Sequence, residues 1–264
     1  MPKVSVIMSV YNESRHLSQA IESILTQDFR DFEFLIFNDG STDDSGKVIK
    51  QYADKDQRIR YSEQGNIGLT KTLNRALAQA EGEYIARMDA DDVSLPGRLS
   101  REVEYLDKHP ETAVVSVFAD VIDDQGERIG EHRPGLSDKE VRSLILFSNQ
   151  INHPAVMFRK SVVGQVGGYD ERYTYAQDLD LWLRVMEKHQ VCNLPEVLLL
   201  WRKSDKALGV KHYERQKYFA RKARLAAIRR GQYPAYMAIA VYWLDLRRFV
   251  PEGVKNFFKK IVSK

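Results

Sequence analysis

Residues 4–11 form a short apolar run rich in β-branched side chains that stops at Asn12, the pattern of a buried strand followed by a turn. Leu17, Ile21, Ile24 and Leu25 then recur at helical spacing, with Ser14 placed to cap the helix start. A second apolar run, 34–37, ends in Asn38-Asp39-Gly40-Ser41, a cluster of turn-forming residues. Strand, helix and strand in that order imply parallel strands joined by a right-handed crossover. The alternation persists: a strand is expected at 58–62, and a helix at 68–80 with Leu69, Leu73, Ala76, Leu77 and Ala80 on one face. The apolar segment 84–88 runs straight into Asp89-Ala90-Asp91-Asp92. Leu99, Val103 and Leu106 mark another helix and 113–122 another strand, while Ser137-Asp138-Lys139-Glu140 has capping-box spacing ahead of 141–147. A late strand is expected at 155–158 and a helix at 179–188.

Alternation over about 200 residues places the chain in the α/β class, with an open, mostly parallel sheet flanked by helices. In such sheets ligands bind beyond the carboxyl ends of the strands, so the turns after the strands are where chemistry is sought. The chain has 264 residues, enough for one large domain or one domain with an appendage. At 43% hydrophobic and 29% charged it reads as an ordinary globular protein. The lone cysteine, Cys192, excludes an intramolecular disulfide and a cysteine-rich metal site, and points to a reducing compartment. The opening residues lack the pattern of a secretory signal, so a cytoplasmic location is expected. The uncharged stretch 231–244 has 14 residues, whereas a spanning helix needs about 20.

The net charge of +3 hides an asymmetry. Residues 206–264 carry 15 Lys and Arg against 3 Asp and Glu, a balance of +12, which leaves −9 on residues 1–205. A boundary near 205 is therefore expected, between an acidic body and a basic helical extension. In the extension, 211–230 reads as a basic helix. After a break at Pro251-Glu252-Gly253, Val254, Phe257, Phe258, Ile261 and Val262 gather on one helical side. That pattern suits a helix lying in a membrane interface, with an anionic lipid surface as partner rather than nucleic acid.

Two nucleotide signatures are absent. No Gly-x-Gly-x-x-Gly follows a strand, and the spacing of Gly40 and Gly46 fails the phosphate-loop pattern. What stands out is acid at two strand ends: Asp39 after the second strand, and Asp89, Asp91 and Asp92 after 84–88. Carboxylates alone repel a nucleotide diphosphate. A divalent cation held between protein and phosphate oxygens, magnesium or manganese, reconciles the two. The plainer alternative is that these aspartates end a strand and cap the next helix.

The opening 2–13, the turn 38–43, Gly65-Asn66-Ile67-Gly68-Leu69, the Asp89-Ala90-Asp91-Asp92 cluster and Gln177-Asp178-Leu179-Asp180-Leu181-Trp182 resemble, in order and spacing, the successive motifs of family 2 glycosyltransferases. The resemblance covers residues 2–203. It implies a GT-A fold, a nucleotide-sugar donor (usually a UDP-sugar) and inversion at the anomeric carbon. By the same resemblance Asp39 would accept a hydrogen bond from uracil, Tyr11 would pack on the base, Asp89 would contact the ribose, and Asp91 would ligate the cation. Asp178 would be the base that deprotonates the acceptor hydroxyl, with a helix N-cap as its alternative reading. Asn38, Ser9 and Gln177 depart from the family pattern, and the Gln-x-x-Arg-Trp motif of processive members is missing, so a single transfer per encounter is expected. His153 is a candidate contact to the diphosphate or acceptor, against a structural histidine in a pre-proline turn. Trp182 is a candidate acceptor platform, against a core tryptophan. Arg87 reads as an edge residue beside the acids.

The expected activity is transfer from a UDP-sugar to a lipid-linked or polysaccharide acceptor in bacterial envelope or exopolysaccharide synthesis, at the inner face of the membrane. A sugar-phosphate nucleotidyltransferase would carry a glycine-rich basic loop after the first strand, and Val10-Tyr11-Asn12-Glu13 is none. A non-catalytic nucleotide-sugar binding module is the other alternative.

Overall fold

A computed structural model describes residues 1–203 and 212–246. The apolar runs form strands β1 (Val4–Val10), β2 (Phe32–Asp39), β3 (Ile59–Gln64), β4 (Tyr84–Met88), β5 (Val93–Ser94), β6 (Thr112–Ile122), β7 (Arg128–His132), β8 (Val156–Arg159) and β9 (Gln190–Arg202). Between them lie α1 (Leu17–Leu25), α2 (Ser45–Ala53), α3 (Leu69–Gln79), α4 (Arg98–Lys108), α5 (Asp138–Leu144), α6 (Lys160–Gln165) and α7 (Gln177–Val185). Two further helices follow, α8 (Tyr213–Arg229) and α9 (Met237–Leu246).

The strands lie in the order β3-β2-β1-β4-β8-β6-β9-β5, and β7 pairs with the far half of β6. β1 is parallel to both β2 and β4, and β2 to β3. β8 is antiparallel to both its neighbours, so β6 points the same way as β4, and β9 is parallel to β6. The expected parallel character therefore holds for β1, β2, β3, β4, β6 and β9, whose carboxyl ends share one edge of the sheet.

Side-chain alternation sends residues to two cores. Val4, Val6, Met8, Ala86 and Met88 pack with Leu17, Ile21 and Ile24 of α1 and Leu99, Val103 and Leu106 of α4. Ile7, Leu35, Phe37 and Ile85 face the other way, onto Leu73 of α3, Val141 of α5, and Leu179 and Trp182 of α7. Arg87 shares the parity of Ile85 and enters this second layer although it is charged.

The capping box is present: the Ser137 hydroxyl accepts from Glu140 N (3.3 Å), and Glu140 Oε2 accepts from Ser137 N (2.9 Å). The expected Ser14 cap is corrected. α1 starts after His16 with no side-chain cap, so Ser14 lies two residues before the cap position, where its N–H donates to Asp43 Oδ2 (3.0 Å) in the next crossover. The expected basic helix is α8, which buries Ala223 and Ala227 in the second core. The break at Pro251-Glu252-Gly253 and the amphipathic segment 254–262 lie outside the described residues.

Candidate active site

The turns after β1 and β2 are stitched together. Asn12, at a left-handed φ of 54°, donates its N–H to Ser41 Oγ (3.0 Å) and accepts from Thr42 N at Oδ1 (2.7 Å). Glu13 N donates to Ser45 Oγ (3.1 Å). Tyr11, just before this knot, leaves 52% of its surface exposed. Asp39 behaves differently. It is 2% exposed and already accepts three hydrogen bonds, from Gln64 Nε2 (2.8 Å) and Ile67 N (2.9 Å) at Oδ1 and from Gly68 N (2.9 Å) at Oδ2. The residue ties the 65–68 loop to the end of β2. Gly40 makes the approach possible, since a Cβ there would lie 2.6 Å from Asn66 N.

β4 ends in the acid cluster. One carboxylate oxygen each from Asp89, Asp91 and Asp92 lies within 4.8 Å of the others. Asp92 is buried, with Oδ1 accepting from Arg202 N (2.7 Å) and Oδ2 unpartnered. Burial, then Asp89, then Glu13 push the Asp91 carboxyl up to about 7. Burial, with Asp91 and Asp89 adding to it, raises Asp92 well above the usual carboxylate range. Crowded, partly desolvated carboxylates with an orphaned oxygen are a set of hard ligands short of positive charge, and a divalent cation such as magnesium or manganese fits them.

Asp178 occupies the second position of α7, not the cap. The cap is Ala176, a non-glycine residue held at a left-handed φ of 52°. Such strain persists where the surroundings enforce it. Asp178 is half-buried, and its Oδ2 accepts from Asn149 Nδ2 (2.6 Å). Burial raises its carboxyl, against the Leu179 N–H, the Arg87 charge and the Asn149 amide, which lower it.

The model of the family described as "Glycosyl transferase family 2" matches residues 5–167. The putative glycosyltransferase EpsE of Bacillus subtilis (strain 168) is 34% identical over 266 residues, covering 98% of this chain and 94% of that one. The chain belongs to glycosyl transferase family 2. The O-antigen biosynthesis glycosyltransferase WbnJ of Escherichia coli is 33% identical over 225 residues, with 83% of this chain and 87% of WbnJ covered. Among solved structures, S. aureus TarS 1-349 in complex with UDP-GlcNAc superposes with a TM-score of 0.66 at 21% identity, covering 82% of this chain and 65% of that chain, just under two thirds. The mannosyltransferase PcManGT from Pyrobaculum calidifontis, in complex with GDP-Man and Mn2+, gives 0.68 at 19% identity, covering 91% and 68%. These likenesses bear on the fold, which is that of the GT-A glycosyltransferases.

In this family 2 enzyme the remaining sequence candidates fall into the interior. Trp182 is 0% exposed, its ring 6.0 Å from both His153 and Phe158, so it fills the core and has no face open to a sugar. His153 is buried too, with Nε2 2.9 Å from the Tyr169 hydroxyl. Burial, then the Arg87 charge, hold the imidazole well below its ordinary pKa, and therefore neutral. Two arginines take on more than the sequence suggested. Arg202 donates to Asp91 O (2.8 Å), Asp123 O (2.7 Å) and Gln19 Oε1 (3.0 Å), clamping the acid turn to the end of β9. Arg87, 3% exposed, is paired with Asp89. The signal in sequence was a cation inside the apolar run of β4 for Arg87 and one at the end of an apolar run for Arg202.

Proposed function

We propose that this glycosyltransferase moves a sugar from a UDP-sugar, with inversion at the anomeric carbon, to a lipid-linked or polysaccharide acceptor in bacterial cell-envelope or exopolysaccharide synthesis. The observation that carries the reading is the acid cluster at the end of β4, within electrostatic reach of Asp178 through Arg87. The UDP-GlcNAc bound by TarS and the O-antigen role in the name of WbnJ support the donor class and the polymer context. The Mn2+ held by PcManGT supports a divalent cation.

In this reading Tyr11 packs on the base, and Asp39 offers the imide N–H the one lone pair its three hydrogen bonds leave, of about four on a carboxylate. Asp89 receives the ribose. Asp91, with Asp89 and Asp92 beside it, holds magnesium or manganese, which when bound offsets the charge of the departing diphosphate. Asp178 removes the proton of the acceptor hydroxyl as its oxygen attacks the anomeric carbon in line. The bond from that carbon to the diphosphate oxygen breaks, and UDP leaves.

Residues 1–205 form the catalytic domain and 206–264 the basic extension, which docks at the cytoplasmic face of the membrane. Among the described residues no helix is long and apolar enough to cross a membrane. The extension exposes Tyr236 (70%), Ile239 (75%) and Trp243 (43%) amid its excess of cations, a composition suited to an anionic bilayer surface.

Incubation with UDP-, GDP- and dTDP-sugars and manganese tests the activity. Metal-dependent UDP release is expected. Pyrophosphate release from an NTP and a sugar phosphate, with no UDP from any UDP-sugar, would instead mark a nucleotidyltransferase.

A further inference from the structure

Arg87 is the one charged residue of β4 and enters the second core layer. Its Nη2 is engaged by Asp89 Oδ1, while Nε and Nη1 are buried with no hydrogen-bond acceptor among the described residues. Its backbone is fixed as well: Arg98 Nη2 donates to the Arg87 carbonyl (2.8 Å) from the start of α4. The charged and titratable groups that feel the guanidinium come from every surrounding element. They are Asp89, Asp91 and Asp92 beyond β4, Arg98 of α4, His153 and Tyr169 before and after β8, and Asp178 of α7.

An arginine buried with two idle nitrogens is a poor way to fill a core. Replacing both members of such an ion pair by apolar side chains of similar volume is often neutral or stabilising, whereas removing one member alone is destabilising. Its partner Asp89 remains one-third exposed, so the pair does not exist to neutralise a buried carboxylate. What the guanidinium does is fix where that carboxylate points, as a planar fork can and a point charge cannot.

Resting on the UDP-sugar reading above, we propose that Arg87 is a positioning residue for donor binding. It holds Asp89 in the orientation that receives the nucleotide, under a cluster that otherwise repels both its own members and the incoming diphosphate.

The test measures UDP binding by calorimetry in saturating manganese, donor KM and kcat, and the melting temperature, for wild type, Arg87→Met, Arg87→Lys, Asp89→Asn and Arg87→Lys with Asp89→Asn. Arg87→Met is expected to raise UDP Kd and donor KM about tenfold, the worth of one charge-assisted hydrogen bond, while kcat changes less. A merely structural arginine would instead lower the melting temperature and leave KM alone. Should Arg87→Met not fold, the cycle through lysine decides. Arg87→Lys is expected to weaken UDP binding, and to add nothing once Asp89 is Asn. Wild-type UDP affinity in Arg87→Lys, or lysine and asparagine effects that multiply independently, overturns the proposal. Wild type that fails to bind UDP at all overturns the UDP-sugar reading with it.

Discussion

Asp178 shows how much of this site lies in single residues and how much in their surroundings. Its place after a loop and at the head of an apolar helix was legible in sequence, as were Asp39 and the acids after 84–88, because turns at carboxyl strand ends are local features. That Ala176 is forced left-handed, that Asn149 donates to the carboxylate, and that Arg202 clamps the acid turn depends on segments far apart in the chain. Trp182 and His153 show the limit of a local pattern, which leaves a platform and a core ring as open alternatives until burial places both in the interior. Asp178→Asn is expected to keep UDP binding and lose transfer by a factor on the order of 10² to 10⁴. Because the carboxyl is raised by burial and must be ionised to accept a proton, transfer should rise with pH through a limb lying above the ordinary aspartate value of about 3.9. A pH profile that is flat across this limb, or an active asparagine variant, would remove Asp178 from the reaction.

At the level of elements, the parallel core declared itself through apolar runs buried on both faces, and β4 was read to the residue. What escaped had no such pattern. α2 buries only Ser45 and Ile49, β7 is an edge strand with no buried residue, and β5 has two residues. β9 carries Pro195 and Glu196 mid-strand, where its pairing with β6 shifts register between Val117 and Phe118. Proline and a charge in the middle disguise a strand of 13 residues that lies near the sheet's edge. The extension divides similarly: α8 is anchored by small residues that no amphipathic stripe announces, whereas α9 leaves Ile239, Tyr242 and Trp243 exposed. Substituting Ile239 and Trp243 by glutamate should reduce co-sedimentation with vesicles containing anionic lipid, and 0.5 M salt should do the same, each cation near such a surface contributing about 1 kcal/mol. Undiminished sedimentation of the variant would detach the extension from the membrane reading.

Across the whole molecule, six strands end at one edge, where the acids after β4 and Asp178 of α7 gather around Arg87, a crowding that a bound cation would relieve. Asp91 binds its proton more tightly folded than unfolded, so without a cation its contribution to stability is full below about pH 4 and is lost as pH rises through about 7. A bound cation takes the charged form and reverses that loss. Manganese should therefore raise the melting temperature more at pH 8 than at pH 6, its total stabilisation being about 2.7 kcal/mol wherever it is present at about a hundredfold over its Kd. An equal shift at both values would mean that these carboxylates do not hold the metal. The most direct measurement is calorimetric titration of UDP into wild type and Asp91→Ala, with and without manganese. Wild-type binding should require the metal and the variant should lose at least tenfold in affinity, whereas equal, metal-independent binding by both proteins would contradict the account.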